Sequence, residues 1–262
     1  MAITDMHPIF SAIHCATVAG SLAITFSNSF GYKLYVQRDQ KTLPPRMRQA
    51  VEAMLKELSL KLKITKPIAL IEDSGMTIAQ AQGGTLLPFR AGIVIDPRYI
   101  LNGSHEQVEF LLSHELIHIS SNDALRLALI KTAVQVATYV MMLQFFPATT
   151  EQFPAIYITA SLGYFSHAEI ISSFVSMMAL VAFSKMIEKR ADLNAMKICC
   201  PATCCSASLF FEGIRLHQLQ YRNHGRSCIQ RIYRKFMITS TGESRWDIFH
   251  PSLKERRDYL MR

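Results

Sequence analysis

The chain has 262 residues, of which 50% are hydrophobic and 18% are charged, and its formal net charge is +8. A mean hydropathy of +0.16 is high for a soluble domain and indicates membrane contact. The basic residues do not alternate with aromatic residues on one predicted face, which argues against nucleic acid as a partner. The excess of Lys and Arg instead fits the cytosolic side of a membrane.

The N-terminal region combines an apolar run with a basic stretch. Residues 8–30 are mostly small and apolar, which fits a weak transmembrane segment, a helix on the membrane surface, or a helix packed on the domain. No cleavable signal peptide is evident, because no Lys or Arg precedes the run. Residues 33–48 are basic and contain Pro44 and Pro45, which indicates a linker. We therefore predict an N-terminal segment at 1–45 and one domain at 46–262.

The next hundred residues predict a helix, a small mixed sheet and a second helix. Residues 46–63 have apolar residues at helical spacing. Short strands are predicted at 67–71, 76–87 and 91–95, separated by turn residues. Asp96-Pro97 indicates a short helix or turn. Ser104 and Gln107 then have the spacing of a capping box and predict the start of another helix.

That helix contains the sequence His-Glu-Leu-Ile-His at residues 114–118. Residues i and i+4 lie on one helix face, so His114 and His118 can direct their rings at one metal ion. Glu115 is then placed beside the metal, where a general base for an activated water belongs. The alternative is a surface helix that carries two unconnected histidines.

Two apolar stretches follow the motif and predict an inserted helical hairpin at 124–187. The first covers residues 124–146, a polar break follows at 147–154, and the second covers residues 155–187. Basic residues flank the hairpin at its outer ends and are absent from its tip, which indicates that both ends lie in the cytosol. A buried or membrane-surface hairpin in a peripheral protein is the alternative.

A pair of acidic residues directly follows the hairpin. Glu188 and Asp192 are separated by four residues and share one helix face. A zinc ion held by two histidines needs a third protein ligand, and Glu188 could supply it. Asp192 could then accept the ring N–H of a ligand histidine and fix its tautomer. Glu188 is far from His118 in sequence, and the hairpin explains this separation. The two ends of a hairpin lie close together, so the chain after it returns to the neighbourhood of the motif.

A cluster of four cysteines follows at Cys199, Cys200, Cys204 and Cys205. Such a cluster could bind a second metal, form a redox disulfide or carry lipid. It could equally be a packed, reduced helix end interrupted by Pro201.

Four features in chain order resemble the HtpX-type metallopeptidases, relatives of the CAAX prenyl proteases. They are the His-Glu-Leu-Ile-His motif with Asp123 shortly after it, the apolar helical pair, Glu188-Lys-Arg-Ala-Asp192-Leu-Asn-Ala, and His250-Pro-Ser-Leu-Lys-Glu-Arg256. The resemblance covers roughly residues 50–260. The chain departs from the family in offering at most one weak N-terminal span, where the family has two clear ones.

The resemblance implies an α+β fold: a mainly helical zincin domain of the gluzincin type with a small mixed sheet and the inserted hydrophobic hairpin. It implies one Zn²⁺ per chain on the cytosolic side of a membrane, with the bacterial inner membrane as the expected location. The implied roles fall on eight residues. His114, His118 and Glu188 would bind zinc, Glu115 would be the base, Asp192 and Asp123 would support the ligands, and His250 and Arg256 would contact the substrate or the oxyanion.

The predicted function is a membrane-associated zinc endopeptidase that acts on unfolded or membrane-bound polypeptide, with membrane-protein quality control as one role. We expect the substrate to add as a strand along residues 77–87, where Gly83 and Gly84 would allow close backbone approach. The alternatives are a catalytically silent peptide-binding or scaffold protein, and a metal-storage or redox protein built on the cysteine cluster. The endopeptidase hypothesis leaves open whether the substrate is a prenylated peptide.

Overall fold

The computed structural model describes residues 43–73, 79–86, 91–145, 156–157, 164–165, 167–199, 201–223, 227–245 and 247–261. The helices are α1 (Pro45–Lys61), α2 (Pro97–Asn102), α3 (His105–Ser121), α4 (Asp123–Phe145), α5 (His167–Ile198), α6 (Pro201–Asn223), α7 (Cys228–Met237) and α8 (Leu253–Leu260). The strands are β1 (Ile68–Glu72), β2 (Ala79–Gln82), β3 (Ala91–Ile95), β4 (Ile156–Tyr157) and β5 (Tyr164–Phe165). The predicted apolar run at 8–30 and the hairpin tip at 147–154 lie outside the described residues.

The small mixed sheet has the strand order β1-β3-β2. β3 pairs with β1 in parallel, with Ile68 opposite Ala91, and with β2 in antiparallel, with Ala81 opposite Ile93. All five residues of β3 are buried, as expected for a central apolar strand covered on both faces. Among the described strands, β2 therefore lies at an edge of the sheet. β4 and β5 form a separate two-stranded antiparallel pair.

Helix α3 is buried on two sides. One side packs with α1 and the sheet in a cluster that includes Leu112, Leu116 and Ile119. The other side contributes Phe110 and Ile117 to a second cluster with residues of α5, α6 and α8. A helix held by two apolar clusters has a fixed rotation, and this rotation determines where its histidines point.

The two ends of α3 are fixed by local hydrogen bonds. Ser104 and Gln107 form the predicted capping box at the N-terminus. At the C-terminus Asn122 adopts a left-handed conformation with φ of 54°, which ends the helix and allows α4 to begin at Asp123. The sharp turn places Asp123 within reach of the last turn of α3.

The chain divides into two compact units. One contains residues 1–29 and 125–183, and the other contains residues 30–124 and 184–262. The segments Asp123–Met142 and Ile171–Ile198 are long and apolar enough to cross a membrane. Many apolar side chains on them are exposed, among them Met141 and Phe174 at 54% and 66%. These two helices coincide with the predicted hairpin. The domain boundaries expected from the sequence, at 1–45 and 46–262, remain a prediction.

Candidate metal centre

His114 and His118 face each other on α3 as the helical spacing predicts. Their Nε2 atoms are 3.0 Å apart, His114 is buried, and His118 is partly buried. Two unprotonated ring nitrogens repel each other at this distance, so the pair favours a shared cation between them.

Glu188 of α5 completes a three-residue cluster. Its Oε2 lies 3.3 Å from His114 Nε2, and its Oε1 lies 3.4 Å from His118 Nε2. These three residues offer ligand atoms that all lie within 4.8 Å of one another, and they could hold a metal ion. Glu188 Oε2 is buried and has no hydrogen-bond partner among the described residues.

The spacing of the cluster is compatible with a zinc ion. Zinc bonds of roughly 2.0–2.1 Å in tetrahedral geometry place neighbouring ligand atoms about 3.4 Å apart. The two ring nitrogens are 3.0 Å apart, and each lies 3.3–3.4 Å from a different oxygen of Glu188, so these separations are close to that value. Two imidazoles and one carboxylate are also a ligand set found in catalytic zinc sites that keep a fourth position open.

A carboxylate holds the far nitrogen of each histidine. Asp192 Oδ1 lies 2.8 Å from His114 Nδ1, and Asp123 Oδ2 lies 2.9 Å from His118 Nδ1. The hydrogen bond with Asp123 fixes the tautomer of His118 in which Nδ1 carries the proton. The charge of Asp192 beside Nδ1 of His114 favours the same tautomer there, so the Nε2 lone pair of each ring is directed at the cluster. Both predicted supports, Asp192 and Asp123, therefore lie against a histidine of the cluster.

An arginine holds each of these carboxylates in turn. Arg256 of α8 donates to Asp192 through Nε at 2.9 Å and Nη2 at 2.6 Å. Arg190 Nη2 donates to Asp123 Oδ1 and Oδ2 at 2.5 and 2.6 Å. Charged partners offset the cost of burying the two carboxylates. The tyrosine hydroxyl of Tyr259 also donates to Asp192.

The surrounding charges favour positive charge at the cluster. Burial opposes protonation of His114, but the carboxylates of Asp192 and Glu188 outweigh it and raise the pKa of His114 to about 10. A bound cation would take the place of this proton, because the same carboxylates stabilise either charge.

Glu115 lies on the side of α3 that faces the sheet. Its Oε2 accepts a hydrogen bond of 2.6 Å from the backbone N–H of Ala81, in the edge strand β2. The side chain is one residue from a cluster histidine and is buried. The base predicted from the motif is thus anchored to the strand along which the substrate is predicted to bind.

His250 lies at the open side of the cluster. Its Nε2 is 3.7 Å from Glu188 Oε1, and 43% of its side chain is exposed. Asp247 Oδ1 lies 2.5 Å from His250 Nδ1. Burial opposes the charged form, but Asp247 and Glu188 outweigh it and raise the pKa of His250. A partly exposed ring whose protonated form is favoured is suited to contact an oxyanion, and this role of His250 remains a prediction.

The other predicted substrate residues have different surroundings. Arg256 is buried against Asp192, and its guanidinium carbon lies 4.2 Å from the centre of the Phe211 ring. Gly83 has a positive φ of 82°, and Gly84 lies so close to Asn122 that a Cβ would be 2.4 Å from Asn122 Oδ1. The close approach at Gly84 is therefore to Asn122. Substrate contact by Arg256, Gly83 and Gly84 remains a prediction.

Sequence reasoning missed three side chains that support the site: Arg190, Tyr259 and Asp247. Each one is close in sequence to a residue that was identified. Arg190 lies between Glu188 and Asp192, while Tyr259 and Asp247 are three residues from Arg256 and His250. Their spacing of two or three positions from the identified residues was the signal that could have indicated them.

The fold is similar to that of a solved protease structure. The crystal structure of Ste24p from S. mikatae matches with a TM-score of 0.50 at 16% sequence identity, over 94% of this chain and 56% of that chain. The chain thus spans about half the length of the structure that it matches. The likeness confirms the predicted fold, a mainly helical α+β domain with a small mixed sheet and two apolar helices.

The family comparison confirms the resemblance found in the sequence. No curated protein matches the chain. The model of peptidase family M48 matches residues 44–260, a range that includes every residue of the metal cluster and its supports. Together with the apolar helices and the cluster, this match supports a membrane metallopeptidase. Because the match extends over most of its length, the chain belongs to peptidase family M48.

Proposed function

We propose that the chain is a membrane-associated zinc endopeptidase. The observation that carries the proposal is the convergence of His114, His118 and Glu188, with a carboxylate behind each histidine. A pure peptide-binding protein would not need a buried carboxylate beside that cluster. Glu115 supplies one, and it lies next to the edge strand.

In the proposed mechanism His114, His118 and Glu188 hold one zinc ion per chain. Zinc bound there would act as a Lewis acid and lower the pKa of a water molecule towards about 7. Asp192 and Asp123 keep both rings in the tautomer and orientation that this requires. Arg256 and Arg190 hold these carboxylates in place through charged hydrogen bonds.

Glu115 acts as the proton carrier of the reaction. It accepts the proton of the attacking water and returns it to the leaving amine. The N–H of Ala81 orients its carboxylate. A peptide that adds along β2 would run past Glu115, because β2 is an edge strand and already contacts this carboxylate. His250 stabilises the oxyanion from the open side of the site.

Binding along an edge strand favours extended, unfolded polypeptide, because the contacts are made with the substrate backbone. The two apolar helices would bring membrane-bound substrates within reach. The basic residues that flank the hairpin in the sequence support a site on the cytosolic side. Quality control of membrane proteins in a bacterial inner membrane fits this combination.

The test compares the full chain purified in detergent with its Glu115→Gln variant. Zinc content and cleavage of unfolded casein are measured on both, and Glu109→Gln on the same helix is the matched control. We expect about one zinc per chain in all three proteins, and a loss of roughly 10²–10⁴-fold in cleavage only for Glu115→Gln.

Other outcomes point elsewhere. Zinc in all three proteins without any cleavage would favour the silent peptide-binding alternative. Absence of zinc in all three would overturn the metal assignment, and a different divalent ion at the same stoichiometry would replace zinc by that ion.

A further inference from the structure

Helix α7 has an apolar stripe along its exposed side. Ile229, Ile232, Tyr233 and Phe236 have exposed fractions of 80%, 64%, 59% and 59%. They occupy positions i, i+3, i+4 and i+7, so all four lie on one face of the helix. They also line a shallow apolar depression.

The opposite face of α7 is basic. Arg231, Arg234 and Lys235 lie there, and residues 213–242 contain six Lys and Arg and no Asp or Glu. The stretch around the helix therefore carries a strong local excess of positive charge. A negatively charged partner complements this excess.

Helix α7 is attached to α6 through its polar side and its C-terminal end. The Arg234 guanidinium carbon lies 4.0 Å from the centre of the Tyr221 ring, and Arg222 Nε donates to the carbonyl of Ile238 at 3.0 Å. Ser227 caps the N-terminus by accepting from the N–H of Gln230. These contacts hold the helix in place while the apolar stripe faces outward.

We propose that α7 lies in the interface of an anionic lipid bilayer, with its apolar stripe among the acyl chains. An amphipathic helix with aromatic and aliphatic residues on one face and Lys and Arg on the other binds a membrane in this way. The basic residues add attraction to anionic headgroups. Nucleic acid would use the basic face only and would leave the apolar stripe exposed to water.

Membrane contact at α7 would give the second unit its own attachment to the bilayer, separate from the two apolar helices. An enzyme with such an attachment keeps its site at a fixed height above the membrane. The inference does not depend on the catalytic proposal, because it rests on the surface of α7 alone.

The test uses the full chain reconstituted in phosphatidylcholine vesicles with and without phosphatidylglycerol. Trp246→Phe removes the native tryptophan, and Ile232→Trp places a reporter in the apolar stripe. Gln230→Trp is the matched control, because it places the same side chain on the same helix outside the stripe. Quenching by lipid brominated near the headgroup end of its chains is measured for both.

We expect quenching at position 232 to exceed that at position 230 by about twofold or more in the anionic vesicles. Adding Arg231→Gln and Lys235→Gln should reduce the quenching at 232 there, and should change it less in vesicles of phosphatidylcholine alone. Thermal unfolding of each variant in detergent verifies that it folds.

Equal quenching at the two positions would overturn the inference. So would absence of quenching together with cross-linked dimers that Ile232→Ser abolishes, which would identify the stripe as a contact between copies. Casein cleavage by the Trp variants separates this result from the catalytic proposal. If the variants cleave casein but show no quenching difference, only the lipid inference is contradicted. If they show the quenching difference but do not cleave casein, the lipid inference is supported and the catalytic proposal is not.

Discussion

Each histidine of the cluster is supported by a carboxylate and then by an arginine. The two series run from His114 to Asp192 and Arg256, and from His118 to Asp123 and Arg190. The short stretch 188–192 supplies a candidate metal ligand, Glu188, together with the arginine of one series and the carboxylate of the other. A single turn of α5 therefore positions both histidines.

Replacing the carboxylate behind either histidine should weaken metal binding. We expect Asp123→Asn to lower zinc affinity by roughly 10–100-fold, because the amide no longer fixes the ring tautomer or orientation. Competition with a chelator of known affinity measures the effect. Asp258→Asn, on the exposed side of α8, is the control and should bind zinc like the wild type. Wild-type affinity in Asp123→Asn would contradict the role assigned to Asp123.

Arg256 should act through Asp192 and not through the substrate. Arg256→Lys keeps the charge but loses the fork that donates two hydrogen bonds, so we expect weaker zinc binding with little change in KM. Arg256→Gln removes the charged partner that donates two hydrogen bonds to the buried Asp192 and should lower stability by about 3–5 kcal/mol. Steady-state kinetics and zinc titration on the Lys variant test this expectation. A rise in KM with unchanged zinc affinity would instead support the predicted substrate contact.

The loop after β2 and the end of α3 are joined through one side chain. Asn122 Oδ1 accepts from the N–H of Leu86 at 2.9 Å, and its Nδ2 donates to Thr85 Oγ1 at 3.0 Å. Asn122 lies directly before Asp123, so this contact connects the edge strand with the support of His118. Glycine at position 84 is what permits the close approach.

Gly84→Ala should destabilise the protein by about 1–3 kcal/mol, because its Cβ would overlap Asn122. Asn122→Gly in the same chain should recover part of the loss, because glycine tolerates the left-handed conformation and removes the clashing oxygen. Thermal unfolding of the two single variants and the double variant measures the coupling. Gly213→Ala is the control, since a Cβ there meets no atom within 4 Å. Strict additivity would contradict the contact.

Glu212 connects α6 with α8 through ion pairs and should give a pH-dependent stability. Arg215 and Arg257 lower the pKa of Glu212 to about 2. Since the folded pKa is lowered, the stabilisation is present above pH 4.5 and is lost as the pH falls towards 2. The side chain is 26% exposed, so we expect about 1 kcal/mol or less.

Measurement of Tm against pH tests the Glu212 pairs. The difference between wild type and Glu212→Gln should be largest near neutral pH and should vanish towards pH 2. Glu57→Gln removes a partner of an exposed pair within α1 and should have a smaller effect. A difference that stays constant over this pH range would show that Glu212 stabilises by packing rather than by charge.

At the scale of the molecule, the site assembles segments that are far apart in sequence. Helical periodicity made the facing of His114 and His118 predictable, and the return of the apolar hairpin made Glu188 a candidate. The pairing of Arg190 with Asp123 was not predictable, since the residues are 67 positions apart and their meeting depends on how α5 is rotated. The burial of Arg256 depended in the same way on where α8 packs. Periodicity defines a face of a helix, while tertiary packing decides what that face meets.

Because the candidate ligands and the residues that support them come from α3, α5, the start of α4 and α8, metal binding at this cluster should stabilise the fold that unites these helices. A metal that binds only the folded chain raises its stability by about 2.7 kcal/mol when its free concentration is about 100 times Kd. We expect removal of metal by a chelator to lower Tm in the wild type and equally in Glu115→Gln, because Glu115 is not a ligand. His118→Ala should have a low Tm that the chelator does not change.

The cysteine cluster supplies the decisive comparison for this prediction. A variant with serine at Cys199, Cys200, Cys204 and Cys205 keeps the histidine cluster, so its chelator-dependent loss of Tm should equal that of the wild type. If the loss disappeared in this variant and persisted in His118→Ala, the metal would reside on the cysteines. The histidine cluster would then owe its geometry to the ion pairs alone. If the chelator lowers Tm in the serine variant but not in His118→Ala, the stabilising metal lies between α3 and α5, where the three candidate ligand atoms converge.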